Sequence, residues 1–162
     1  MDPRETQWLT VEQQRIWRAY IMGSQLLQDR LDRDLRVEHG ISLTEYEILV
    51  RLSEIPERRM RMALLADSVC HSRSRVTHTV ARMESAGWLR REEAADDGRG
   101  VDAVMTAAGG TLLEQAAHTH VEGVRRNLVD LVGDDDFEAL GRVMNTVSDR
   151  LLAGRTPAAD IR

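Results

Sequence analysis

Lysine is missing from this chain of 162 residues: all 22 of its basic side chains are arginine. Arginine suits phosphate and guanine recognition, because its planar fork donates two parallel hydrogen bonds. The bias runs through every part of the sequence, however, so it reflects a GC-rich genome before it reflects a function. Cysteine occurs once, at Cys70, which excludes an intramolecular disulfide framework. Proline occurs only at positions 3, 56 and 157, so long helices are permitted almost everywhere. Aromatic residues are 4% of the chain, and aliphatic side chains must fill the core. No apolar run approaches the ~18 residues of a membrane span, and residues 1–7 carry no apolar stretch of a secretory signal. These absences predict a soluble, cytoplasmic protein with no membrane partner.

Catalytic signatures are absent too. There is no glycine-rich phosphate loop, no nucleophile elbow and no carboxylate pair in a convincing setting, so we expect no enzyme, no catalytic residue and no cofactor. Five histidines stand without a cysteine cluster. His118 and His120 lie two apart on one helix and point in different directions, so no metal site is expected.

The formal charge of −5 argues against a nucleic-acid binder until its distribution is considered. Between residues 70 and 91 five arginines (Arg73, Arg75, Arg82, Arg90 and Arg91) face one acid, Glu84, a local surplus of four positive charges. A basic face, not the global sum, is the electrostatic footprint of such a protein. That face lies in the most informative segment, residues 60–106. A short apolar helix over Met62–Val69 is followed by a turn at Cys70-His71. A second helix opens at Ser72 and continues through Met83. After Gly87 come two strand-like runs joined by Asp96-Asp97-Gly98-Arg99-Gly100. Helix, tight turn, basic helix and hairpin make the layout of a winged helix-turn-helix.

Longer helices flank this unit. Thr10 forms a capping box with Gln13, and a helix of roughly 28 residues follows to His39, long for one small domain. Ile16, Tyr20, Leu27, Leu31 and Leu35 share a stripe widened by Trp17, Ile21 and Leu26. Thr44-Glu45-Tyr46-Glu47 reads as a second capping box. It opens a helix with Tyr46, Leu49, Val50 and Leu52 inward, stopped before Pro56. Glu57 to Arg61 is a connector with a brief strand at its end. Thr106 caps a helix running to about Leu131, with Leu113, Ala116, Ala117, His120, Val121, Val124, Leu128 and Leu131 on one face. Acids after Gly133 start the last helix. There Phe137, Leu140, Met144, Val147 and Leu151 form a coiled-coil-like seam. Stripes this long exceed what the central unit can cover, which predicts an intertwined homodimer. Its interface would use Leu9, Ile16, Phe137, Leu140, Met144, Val147 and Leu151.

From about Thr10 to Ala153 these signals resemble the multiple antibiotic resistance regulator family, MarR. The specific residues are Leu65-Ala66-Asp67, then Ser72 with Val76-Thr77, then Arg82-Met83-Glu84 with Gly87-Trp88-Leu89. The wing Asp97-Gly98-Arg99-Gly100 and Val104-Met105-Thr106 with Gly109 follow in the same order. The resemblance implies a mainly α fold with a small β-hairpin wing, as one domain over 1–162. Within it, 42–106 would be the winged helix-turn-helix, and 10–40 and 107–153 the N- and C-terminal dimerisation helices. It also implies a DNA-binding transcriptional regulator, a repressor, that grips a palindromic double-stranded operator as a homodimer. A small aromatic or anionic effector would release it.

Val76, Val80 and Met83 at i, i+4 and i+7 face the core, which turns Arg73, Ser74, Arg75, Thr77, His78 and Arg82 outward or onto the flanks. Arg73 and Arg75 are the candidates for guanine or phosphate contacts, and Thr77 for a thymine methyl or a phosphate. His78 stands where the family more often has arginine. Ser72 reads as an N-cap before it reads as a base contact, and Arg82 as a phosphate clamp. The resemblance implies that Arg99 enters a minor groove while Asp97 braces it. Trp17, Tyr20 and Tyr46 are candidate walls of an effector pocket, or simply core. Cys70 reads as a small buried turn residue. The alternative is a redox-responsive regulator acting through its thiol, whose pKa His71 and Arg73 could lower.

Overall fold

A computed structural model describes residues 6–94 and 100–153. Six α-helices and three short strands follow one another as α1 (Val11–His39), α2 (Leu43–Ser53), β1 (Arg59–Arg61), α3 (Met62–Ser68), α4 (Arg73–Ser85), β2 (Leu89–Glu93), β3 (Val101–Met105), α5 (Ala107–Asn127) and α6 (Asp134–Leu152). The strands form an antiparallel sheet in the order β1-β3-β2. The connector strand therefore joins the hairpin, with Met60 opposite Ala103 and Arg91 opposite Ala103 from the other side.

Local chemistry sets the helix ends. Thr10 and Gln13 satisfy each other's amides as a capping box, and α1 runs 29 residues to a left-handed Gly40. The cap of α2 is Ser42, not Thr44: Ser42 accepts from the Glu45 amide, and Glu45 reaches back to the Ser42 amide. Both frames fit the sequence pattern. The earlier one is realised: Ser42 has extended backbone at φ −79° and ψ 160°, and the helix it opens has Tyr46, Ile48, Leu49 and Leu52 inside, with Val50 only half-buried. Thr106 caps α5 as expected, but that helix stops at Asn127. Leu128 leaves helical geometry at φ −142°, and a single 3-10 turn over Val129–Leu131 follows.

Two apolar clusters result. One gathers α2, α3, α4 and the sheet around Leu49, Leu52, Leu65, Val76, Val80, Met83 and Leu89. The other joins α1 and α5 through Leu35, Ile41, Tyr46 and Ala116, and Trp88, Leu112 and Leu113 touch both. Helices α1 and α5 cross closely at Gly123, where a β-carbon would lie 2.8 Å from Leu31 Cδ2. Beyond this crossing the ends are open. Residues 11–30 of α1 include no buried side chain, and α6 has none at all. Leu9, Ile16, Phe137, Leu140, Val147 and Leu151 are exposed, and Met144 is half-buried. Val121 and Leu131, placed on the inner face of α5 by periodicity, are exposed as well. Among the described residues, no helix is long and apolar enough to cross a membrane.

Candidate nucleic-acid interface

Helix α4 is positioned by its apolar side. Val76, Val80 and Met83 are all 0% exposed, and this anchors the helix in the central cluster. At its start Ser72 is the N-cap, accepting from the Arg75 amide at 3.3 Å. At its end Gly87, at φ 79°, closes a Schellman turn: its amide donates to Glu84 O at 2.9 Å and that of Trp88 to Met83 O at 3.0 Å. The same turn docks on the next helix, because Thr106 Oγ1 donates to Gly87 O and Trp88 O. Arg73, Ser74, Arg75, Thr77 and His78 are left exposed on one continuous face. Thr77 Oγ1 donates to Arg73 O at 2.8 Å, which fixes its rotamer and leaves its oxygen lone pairs and methyl outward.

Of the five arginines in this basic segment, three are neutralised locally. Arg91 binds Glu84 through both its amide and its Nε, at 2.9 and 2.8 Å, and holds that carboxyl below the usual range. Arg90 pairs with Glu92, which Arg59 also contacts; the two arginines hold the Glu92 carboxyl down. Arg82 pairs with Glu45, Nε to Oε1, at 2.8 Å. Arg73 and Arg75 alone have no ion pair among the described residues. They also occupy the first turn of α4, which contains no acid. A helix start carries positive partial charge, so two arginines there are electrostatically unfavourable until an external anion arrives.

The wing root is a second charged layer. Asp102 is buried between Arg61 at 3.6 Å and Arg59 at 4.0 Å, on the outward face of the sheet. Asp97 and Arg99, the expected wing contacts, lie outside the described residues.

Cys70 is exposed, not buried. It ends α3 in a left-handed conformation, φ 53°, with its amide donating to Asp67 O and that of His71 to Ala66 O. This is the position where a Schellman turn usually has glycine, and it throws the side chain outward. His71 contacts Thr44 Oγ1 at 3.4 Å, and burial together with Arg75 pushes its pKa down.

The three aromatic candidates do not meet. Trp17 and Tyr20 pair with each other, ring centroids 5.8 Å apart, on the exposed half of α1. Tyr46 is core, stacked on His120 at 4.5 Å. Burial raises the Tyr46 pKa and lowers that of His120, whose Nδ1 has no hydrogen-bond partner among the described residues. A cleft of 790 Å³ opens elsewhere, between α1, the start of α2 and the helix-turn-helix. Asp32, Arg36, Glu47, Arg51, Arg75 and Arg82 are among its walls. Burial raises the Glu47 pKa, against the pull of Arg51 and Arg75. At its back Asp32 accepts from the Leu43 amide at 2.8 Å and pairs with Arg36 at 2.6 Å, tying α1 to the first turn of α2. Sequence reasoning had no part for Asp32 or Glu45; the only available signal was the Ser42-x-x-Glu45 spacing.

With this geometry in hand, similarity to known proteins is informative. The MarR family model matches residues 41–101. The fold is similar to that of Sco3205, a MarR family transcriptional regulator from Streptomyces coelicolor solved in complex with DNA. The TM-score is 0.88 at 40% sequence identity, covering 98% of this chain and 97% of that one. It is likewise similar to AbsC, a MarR family transcriptional regulator from the same organism, with TM-score 0.85, 38% identity and coverage of 91% and 99%. In sequence it is 26% identical over 135 residues to the HTH-type transcriptional regulator PecS of Dickeya dadantii, 80% of this chain and 78% of PecS.

Proposed function

Because the chain belongs to the MarR family, we propose that it is a sequence-specific DNA-binding regulator that represses from a palindromic operator as a homodimer. The observation that carries this reading is the start of α4. Arg73 and Arg75 stand exposed at a helix N-terminus, with no acid in that turn and no ion pair among the described residues, on a helix whose opposite side is fully buried. Ser74, Thr77 and His78 share that exposed face, with Ser72 as the cap at its start. For the minor groove we propose the contact that the family resemblance implies, through Arg99 with Asp97. The exposed stripes of α1 and α6 supply the dimer contact, which sets two recognition helices ~34 Å apart, one helical turn of DNA.

The reading that a small anionic effector releases the protein is supported by the 790 Å³ cleft, whose walls include Arg75 of the proposed DNA face. A ligand that prefers one arrangement of the lobes by ~100-fold contributes about 2.7 kcal/mol per site. The exposure of Cys70 favours a second reading, oxidative release. Its copy in the dimer is too distant for a disulfide without a large rearrangement. Both readings are tested by fluorescence anisotropy on the upstream intergenic DNA, with aromatic carboxylates and with peroxide, for wild type and Cys70→Ser. We expect nanomolar, salt-dependent binding, release by a carboxylate and equal behaviour of the two proteins in peroxide. Peroxide release that Cys70→Ser abolishes would replace the ligand with the thiol.

A further inference from the structure

Glu45 carries a charge that its capping role does not require. In α1 the same third helical position is filled by Gln13, a neutral side chain that completes an identical box on an exposed surface. In α2 the box is buried, Glu45 being 3% exposed, and yet the residue is an acid. Burial favours the reverse choice, since a charge removed from water is costly unless it is paired and fully hydrogen-bonded. Glu45 Oε2 accepts from the Ser42 amide at 2.7 Å and from Ser42 Oγ at 2.8 Å. Its other oxygen, Oε1, is committed to Arg82 Nε at 2.8 Å, across 37 residues of sequence.

Arg82 belongs to α4, and its side chain remains 60% exposed. Among the described residues, only its Nε is engaged. A guanidinium is planar, so a hydrogen bond at Nε restricts the directions of both terminal amino groups. A free arginine loses rotamer freedom when it grips a phosphate; one already held has less to lose.

We propose that Glu45 is a positioning residue of the DNA interface: it pins Arg82 by Nε so that the terminal amino groups meet one backbone phosphate of the operator. This rests on the DNA-binding reading above. A phosphate contact carries no sequence information, so its loss weakens all operators alike.

The test is a set of variants measured by operator binding against salt, with thermal melts to verify folding. Arg82→Ala should weaken binding about tenfold and lower the salt slope by about one unit. Glu45→Gln retains the cap and the arginine charge; it should weaken binding by about threefold to tenfold with the salt slope kept. In the Arg82→Ala background Glu45→Gln should cost nothing more, a non-additivity that a role of Glu45 confined to its cap would not produce. In the thermal melts Glu45→Gln should lose less than it does in operator affinity, which a purely structural ion pair would not allow. Arg82→Ala alone leaves a buried charge unpaired and can destabilise the fold. Arg82→Lys, which keeps the charge but has no Nε, therefore provides a second cycle. It should match Glu45→Gln in affinity and be insensitive to it. Equal losses from Glu45→Gln with and without the Arg82 side chain would overturn the proposal while leaving the regulator reading intact. Wild-type protein that binds no DNA would overturn both.

Discussion

Helices α4 and α6 carry nearly the same apolar spacing to opposite outcomes. In α4, Val76, Val80 and Met83 at i, i+4 and i+7 are sealed inside the chain. In α6, Phe137, Leu140, Met144, Val147 and Leu151 repeat the pattern over more turns, and no residue of the helix is buried. Periodicity thus identifies the face that needs cover, and says nothing about where the cover comes from. For α4 it comes from α2, α3 and the sheet; for α6 the cover proposed above is a second copy of the chain.

The comparison breaks most visibly at the α6 seam. Leu140→Glu with Val147→Glu should abolish the dimer, giving monomer or unfolded protein by light scattering and no measurable operator binding. A wild-type protein that is a folded monomer at micromolar concentration would refute the assignment of the stripe. In the central lobe, Leu49→Ala should cost about 2–5 kcal/mol through the cavity it leaves. For the Leu140→Ala counterpart, the melting temperature should rise with protein concentration, as subunit linkage requires. On the open face of α4, Arg75→Ala should lose roughly 1–3 kcal/mol of operator affinity and relax preference at one position per half-site. Unchanged affinity would remove Arg75 from the interface.

A pH titration probes the half-buried His120, packed against Tyr46. Burial lowers the His120 pKa below the ordinary 6.5. The unfolded chain therefore binds more protons in the window between the depressed folded value and 6.5, and stability rises with pH across it. Acidification through that window should destabilise the protein, and His120→Gln should flatten the curve. The smallest effect is expected at Cys70, whose left-handed backbone glycine tolerates better. Cys70→Gly should stabilise the fold by about 1 kcal/mol in denaturant melts, with operator affinity unchanged.

What could be read from the sequence was governed by range. The Thr10–Gln13 box, the Ser72 cap, the glycine stop at Gly87 and the inward trio of α4 depend on neighbours within a few residues, and the structure shows each of them. Ser42 and Thr44 offer two overlapping frames that satisfy the same local rule, and the pattern alone does not choose between them; the structure has the Ser42 frame, with Glu45 buried beneath it. The stacking of Tyr46 on His120 and the pairing of Glu45 with Arg82 span long separations and depend on how the helices cross. Cys70 was misread because composition suggests a small apolar side chain inside, whereas a left-handed turn position directs it to solvent.

Helix α1 has the proportions of a lever. Leu31 and Leu35 seat its last turns against α5, and Asp32 bolts that seat to the first amide of α2. The first residue of the helix, Val11, lies about 30 Å from this fulcrum at 1.5 Å per residue, although Ile21, Ser24 and Leu27 on the way are half-buried. A tilt of about 5° at the fulcrum sweeps the free tip through about 2–3 Å, a shift comparable to the helix displacements that switch subunit interfaces. The arm also works in reverse. A partner that holds the tip divides its own displacement by the length of the arm before it reaches Asp32. The angle of the DNA lobe is then set more finely than the contact that sets it.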